Sequence, residues 1–395
     1  MPRGADDRYW QVPRLPSVFK HTLLGRYVPQ FAGITGSRSE ARRVVFLDGF
    51  AGRGRYDDGS PASPERILRI AQNQGTKGTV AWTCFFVESE EASAAELVQV
   101  VDEYVRQSVT ATAHHGDVLE VLDDVVGAAI GCPLFLFLDP CGLGIPYDRL
   151  VRLLGDQRRD RWPPTEILLN FSLDAVRRIG GHVGSEHGFE KSMGRLDQAV
   201  GGGWWRRYFV SRGVTDTAVE SVVTRFGERL LADSGMEIVP VPVRRAPRHK
   251  PLYYLLFGTR RQHGLWAFGD SVAWATQAWW LTLDEQTIEQ DPYRLFPVTQ
   301  VERPSIESVE ARAVPEVARN LEDILRDRPS FRVVDHTHRV FGGSYGQVRE
   351  RVVREAIKLM HSDGRTSSDG KGPRIRNLVV VRPQAEAARR SGISS

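Results

Sequence analysis

The segment Val44-Val45-Phe46-Leu47-Asp48-Gly49-Phe50-Ala51-Gly52-Arg53-Gly54-Arg55-Tyr56 constrains this chain more than any other stretch. Four apolar residues run into an acid, and the acid runs into a turn with glycines at 49, 52 and 54. This reads as a buried strand ending at a tight turn, where main chain lies close to a ligand.

The next hundred or so residues keep one rhythm. Apolar runs at 43–48, 80–88, 109–114, 133–139 and 165–171 alternate with helical spacing at 61–73, 90–107, 117–130 and 146–155. Alternating strands and helices predict a mainly parallel sheet covered on both faces. A helix over Val18–Phe31 precedes it, within an N-terminal segment 1–40. Residues 185–235 break the rhythm with two helical patterns and read as an insertion over the strand tips. Residues 252–257 form another apolar run. A turn at Gly258–Gly264 into Leu265-Trp266-Ala267-Phe268 would make an antiparallel hairpin that closes a Rossmann-like domain over 41–284. Prolines then change the texture. Residues 285–383 show helix, helix, a basic Gly/Ser loop and a strand, which fits a winged-helix-like module or a small α+β cap. Residues 384–395 read as a frayed tail.

A chain of 395 residues suffices for a large domain and a smaller one. No apolar run is long enough to span a bilayer, and the N-terminus has no signal-peptide core. Cys84, Cys132 and Cys141 form no CxxC pair, which argues against structural zinc and for a reducing compartment, the cytoplasm. His114-His115 and the His336/His338 pair lack a third ligand, so no metal site is expected. The net charge of +4 is modest, but arginines cluster at 158–161, 177–178, 206–207, 244–250 and 260–261. These are either solvated faces or a track for a phosphate backbone.

Acids recur where strands end. Asp48 ends the first strand and Glu88 the second, Asp117 follows the third, and Asp139 ends the fourth. In an open α/β sheet, ligands bind beyond these ends. Each acid alone has an ordinary reading as a helix cap; together they read as one pocket for a nucleoside-type ligand. The loop 57–64 lies near its mouth. Asn170-Phe171 ends the fifth strand and lines the same cleft or simply terminates the strand.

The order Asp48-x-Phe50-Ala51-Gly52-x-Gly54 resembles the first motif of class I S-adenosylmethionine-dependent methyltransferases, especially those acting on adenine amino groups. The resemblance implies that Glu88 accepts the ribose hydroxyls and that Asp117 accepts from the cofactor's adenine amine. Gly49, Gly52 and Gly54, with Phe50 and Ala51, would admit the methionine part, and Asp48 would fix the loop and the cofactor's ammonium. Asp139-Pro140 stands where such enzymes hold the target amine. Their motif continues with an aromatic; here Cys141-Gly142 follow, and Tyr147, Phe171 or Phe50 would have to replace it. Pro140-Cys141 also matches, superficially, the nucleophile pair of cytosine C5 methylation.

More of the chain is similar to the three-Cys-motif partner family, TcmP. The likeness runs through Lys20-His21, Tyr27, Phe46–Gly52, Gly54-Arg55-Tyr56, Gly59-Ser60-Pro61, Phe86-Val87-Glu88, Gly116-Asp117, Phe137–Gly142 and Ile167–Phe171. It implies a partner protein bearing three cysteines, similar to radical S-adenosylmethionine enzymes. The same pattern resembles rRNA adenine-N6 methyltransferases, which makes Lys20, His21, Tyr56, Gly142, Asn170 and Phe171 candidate substrate residues. A Lys-His pair on a helix surface is an equal reading of the first two. The leading expectation is therefore a methyltransferase acting on a nucleic acid base amine, with S-adenosylmethionine as cofactor. The alternatives are a non-catalytic partner that binds cofactor or DNA, and a Mg-dependent nuclease using the clustered acids.

Overall fold

A computed structural model of the chain describes residues 15–185, 189–210, 213–290 and 304–383. Residues 1–14 of the expected leader, the tail 384–395, and the prolines at 292 and 297 lie outside the described residues. The chain divides into two compact units, 1–261 and 262–395.

The first unit opens with helix α1 (Leu15–Thr35), whose Leu23, Leu24, Tyr27, Val28 and Phe31 are buried. Strands and helices then alternate: β1 (Arg43–Asp48), α2 (Ser63–Thr76), β2 (Ala81–Glu88), α3 (Glu91–Val105), β3 (Thr110–His115), α4 (Val118–Ala128), β4 (Leu134–Leu138) and α5 (Tyr147–Val151). Helix α5 continues into a π turn at Arg152–Gln157. Next come β5 (Thr165–Ser172) and α6 (Leu173–Gly180), then the insertion helices α7 (Glu190–Val200), α8 (Arg207–Val210) and α9 (Asp216–Ser234). The hairpin β6 (Glu237–Val243) and β7 (Tyr253–Thr259) closes the sheet.

The seven strands lie in the order β3-β2-β1-β4-β5-β7-β6. Pairs among β1–β5 are parallel, while β7 runs antiparallel to both β5 and β6. This is a mostly parallel, Rossmann-like sheet flanked by helices. Its strand order reverses at β1, where β2 pairs on one side and β4 on the other.

Side chains alternate across the sheet, and that alternation decides what reaches the site. Val45, Leu47, Leu134, Leu136, Leu138, Ile167, Leu169 and Phe171 point to one face and share a core with Val125, Leu150, Val176, Leu196 and Phe226. The insertion helices α7 and α9 belong to that face. The other face carries Phe46, Phe135 and Phe257, with α1 packed on it through Tyr27 and Phe31. Asp48, Phe137, Glu166 and Asn170 share its parity.

Two expectations are corrected. Leu265–Phe268 is not a strand: it lies inside helix α10 (Gln262–Gln290), which also runs through the expected 284/285 boundary. A four-residue apolar run fits a buried helix as well as a strand, and here the apolar pattern continues at helical length. The antiparallel hairpin exists but uses β6, which carries Pro240 and Pro242. Proline is tolerated there because β6 is an edge strand, with one side needing no donor.

The second unit holds α10, then α11 (Ile306–Asp327), β8 (Ser330–Arg332), α12 (Thr337–Phe341), α13 (Arg351–Ser362) and β9 (Val379–Val381). Strands β8 and β9 pair antiparallel. Trp266, Val317, Leu321, Phe331, Phe341, Val353, Ile357 and Val380 form its core. Many basic side chains of this unit, in its helices and in its Gly/Ser loop, already have partners inside it. Arg349 and Arg351 hold Glu310, Arg365 pairs with Asp363 and Glu322, Lys358 with Glu355, and Lys371 with Asp369.

Candidate functional site

The crevice beyond β1 and β4 is where a sheet of this order binds ligands. Gly49 N donates to Phe137 O (3.0 Å) and Ala51 N to Val87 O (2.8 Å), so the glycine turn is tied to both neighbouring strands. A side chain at Gly49 would press on Leu138 and Val118, each 2.8 Å from its Cβ. Packing, not ligand access, therefore requires that glycine. Gly54 sits at φ +86° over Val100, a left-handed conformation glycine adopts without strain.

Glu88 closes the turn: its carboxylate accepts from Gly52 N (2.8 Å) and Glu90 N (2.7 Å). Each carboxylate oxygen has a second lone pair to offer. Arg55 fixes the far side of the turn, donating to Glu65 (2.7 and 2.9 Å) and to Glu103 (2.6 and 3.1 Å). Glu65 is buried and also takes Tyr104 Oη (3.0 Å) and Arg69 (3.1 Å). Sequence reading missed Glu65 and Glu103 because both are ordinary helix positions whose meaning lies in a distant partner.

Asp48 is fully buried, and burial pushes its carboxyl up to about 7. Oδ1 accepts from Phe50 N (3.2 Å), and the Ser63 hydroxyl stands close enough to favour the charged form. Oδ2 meets no donor in good geometry. The Asp139 carboxylate raises the Asp48 value further and the Lys20 ammonium lowers it, which places the three groups in one electrostatic neighbourhood.

Asp139 follows β4 and is held from two sides. Lys20 Nζ of α1 forms an ion pair with Oδ2, and Asn170 Nδ2 of β5 donates to Oδ1 (2.7 Å). The ion pair is nearly dry, with the two side chains 7% and 13% exposed. An ionised carboxylate only accepts, so the Asn170 amide nitrogen must face it. Asn170 Oδ1 then turns away and is buried without a hydrogen-bond partner. Strand alternation explains why Asn170 is here while Phe171 packs on Phe226 in the opposite core (4.9 Å). Tyr147 also faces that core, donating to Asp233 (2.7 Å). Phe50, next but one to Asp48 in the chain, is half-buried, and the aromatic rings recorded beside the Lys20-His21 pair are Phe137 and Tyr56.

Lys20-His21 is no surface pair; both residues are buried. His21 lies edge-on to the buried ring of Tyr56 (5.9 Å), and burial with Lys20 and Arg66 nearby holds it well below the usual histidine range, neutral. Asp117 is an exposed N-cap of α4, accepting from Leu119 N (2.8 Å), and its neighbours reach the glycine turn: Gly116 N donates to Glu88 O (3.0 Å) and Val118 lies against Gly49. Gly142, Asn170 and Phe171 line a mostly apolar cleft against the insertion helices, and Asn170 joins that cleft to Asp139. Pro140 is buried, and the Cys141 thiol beside it is pushed up by desolvation, with Asp139 and Glu88 adding to the effect. That environment opposes the thiolate a nucleophile needs.

No protein-family model matches the chain, and no curated protein matches it. Among the described residues, no group of three His, Cys, Asp or Glu side chains is arranged to hold a metal, and no helix is long and apolar enough to cross a membrane.

Proposed function

We propose that the chain is an S-adenosylmethionine-dependent methyltransferase whose acceptor is an amine on a nucleic acid base. The observation that carries the reading is the convergence at the β1/β4 crevice of Glu88 on its glycine turn, buried Asp48 and the Lys20–Asp139–Asn170 cluster. The late antiparallel hairpin on a parallel sheet supports it as well.

The residues present fit an adenosyl cofactor. Glu88 is a carboxylate at the β2 tip with lone pairs beyond those the main chain uses, suited to ribose hydroxyls. Asp48 keeps a buried oxygen without a donor, suited to an ammonium or amide N–H. When bound, the cofactor supplies a methyl group on a cationic sulfonium. The chain's own contribution is positioning, which accounts for most of the acceleration in such a displacement. Asp139 and the Pro140 carbonyl orient the acceptor amine, and Asn170 orients Asp139. On this reading a winged-helix-like second unit adds nucleic acid contacts, and the resemblance to three-Cys-motif partners supplies a candidate protein partner.

One observation favours a second reading, a binder without catalysis. Asp139 is already neutralised by Lys20 and oriented by Asn170 in a nearly dry cluster, so the cluster is complete without an acceptor amine. The nuclease reading is weaker, since Asp139 holds an ammonium where a cation would sit.

Titration calorimetry tests the proposal. S-adenosylmethionine or its demethylated product should bind in the micromolar range, and Glu88→Ala should weaken binding at least ~10-fold, a loss of about 1.4 kcal/mol. Tritiated methyl should then reach DNA or RNA. Binding without transfer to DNA, RNA or protein, and unchanged function of Asp139→Ala in cells, would establish the binder instead; no cofactor binding would sink both.

A further inference from the structure

The five basic clusters of the sequence are not equivalent once folded. Two of them meet at the amino-terminal end of β5, on the sheet edge opposite the crevice. There Arg158 is consumed internally, donating to Thr165 Oγ1 (2.8 Å), Ala129 O (2.9 Å) and Cys132 O (2.8 Å). Arg260 is likewise turned inward, onto Leu154, Arg158 and Ser234 carbonyls. These arginines tie the ends of helices and strands together.

The cluster at 244–250 lies at the other end. Val243 pairs with Tyr253, and Tyr253 with Ser172 at the tip of β5. The loop joining β6 to β7 therefore rises from the same edge as Asp139 and Asn170. At ~4.8 Å per strand it starts about 10–14 Å from the end of β4. Arg177 of α6 anchors it by donating to Pro251 O (3.2 Å), and His249 N closes a turn on Ala246 O (3.0 Å). Residues 243–253 carry Arg244, Arg245, Arg248 and Lys250 and no acid, a charge of 4 − 0 = +4. Lys250 is offset by Asp216 (2.6 Å), while Arg245 and Arg248 are exposed, as is Arg178 on α6. The basic loop of the second unit is weaker on the same count. Residues 363–376 hold Arg365, Lys371, Arg374 and Arg376 against Asp363 and Asp369, 4 − 2 = +2.

We propose that the β6–β7 loop, through Arg245 and Arg248, is the main phosphate-backbone grip of this protein for a single nucleic acid strand led to the β1/β4 crevice. The inference rests on the methyltransferase reading for the purpose of that strand, but not for its binding. The contact is to phosphate, so it is independent of base sequence and weakens with salt.

The test uses the full chain and fluorescein-labelled 20-nucleotide single strands of one mixed sequence, as RNA and as DNA, titrated from 50 to 200 mM salt. Arg245→Glu/Arg248→Glu should weaken binding of the preferred strand roughly tenfold or more and cut the slope of log K against log salt by about 1.4, or ~0.7 per lost phosphate contact. Arg245→Ala/Arg248→Ala should do so more mildly, and unchanged thermal melts keep both interpretable. Arg159→Glu/Arg161→Glu at the far edge and Lys371→Glu/Arg374→Glu in the second unit should each change affinity less than ~3-fold. Loss with RNA alone or DNA alone supports the grip and names its strand. The proposal is overturned if the loop variants bind as the parent does, if either control loses as much, or if the parent binds neither strand tighter than ~100 μM at 50 mM salt. Calorimetry with S-adenosylmethionine keeps the two readings apart: a chain that grips the strand through 245 and 248 but never binds cofactor refutes the methyltransferase and leaves the grip standing.

Discussion

Asp48 and Glu166 sit at opposite ends of the same sheet, on the face that α1 covers, and burial pushes both carboxyls up to about 7. They differ in what surrounds them. Glu166, near the start of β5, accepts from the Tyr27 hydroxyl on one oxygen and from Thr259 Oγ1 on the other (2.7 Å). Its partners complete it. Asp48 receives one main-chain amide, with the Ser63 hydroxyl near, yet its Oδ2 has no hydrogen-bond partner and a second carboxylate stands close by. A buried acid that the fold satisfies is a fastening. One that the fold leaves short of donors, at the end where ligands bind, is an acceptor that a ligand's N–H can satisfy.

The largest effect that could break this contrast comes from Lys20. Lys20→Met leaves Asp139 as a poorly solvated charge beside Asp48 and should lower stability by about 3–5 kcal/mol in urea unfolding at pH 7. Adding Asp139→Asn should recover most of it. A loss below ~1 kcal/mol would mean that the pair is effectively solvated and the crevice is not the strained end.

Asp48→Asn sharpens the comparison through pH. The folded Asp48 carboxyl keeps its proton to about 7, whereas its ordinary value is 3.8. Between these values the folded chain binds more protons than the unfolded one, so stability falls as pH rises from about 4 to 7 and stays reduced above. Removing the charge should therefore raise stability by roughly 3–4 kcal/mol at pH 8 and by about nothing at pH 4. Glu166→Gln should gain less at pH 8, because its new amide N–H would face hydroxyls that already donate. Equal gains at both positions would erase the distinction between fastening and ligand acceptor.

The smallest effect is at the fastening. Tyr27→Phe should cost about 1–3 kcal/mol and extend the pH-dependent decline to higher pH, since the lost hydroxyl helps keep Glu166 ionisable. A purely steric role for Tyr27 would leave the pH profile unmoved.

Much of this architecture was legible in the sequence. Five apolar runs, four of them ending in or beside an acid, located β1–β5 and the crevice, because central strands buried on both faces cannot hide their composition. What was not legible depended on the partner strand or helix. Which of Asn170 and Phe171 faces the site is a matter of register. The burial of Lys20 and His21 comes from α1 lying on the sheet. Strand β6 was hidden by prolines that only an edge permits. Glu166 did leave a signal, an acid inside the apolar run Thr165–Leu169, whose partners Tyr27 and Thr259 are 139 and 93 residues away.

Helix α1 reaches both of these acid sites. Tyr27 fastens it at the base, and seven residues earlier, about 10 Å along its axis, Lys20 reaches Asp139. The rod is thus pinned at its foot while its upper arm ends in a flexible four-carbon stem. An amine arriving at Asp139 would displace that stem and leave the rod in place, so entry would be gated by a rotamer change and the backbone would stay where it is.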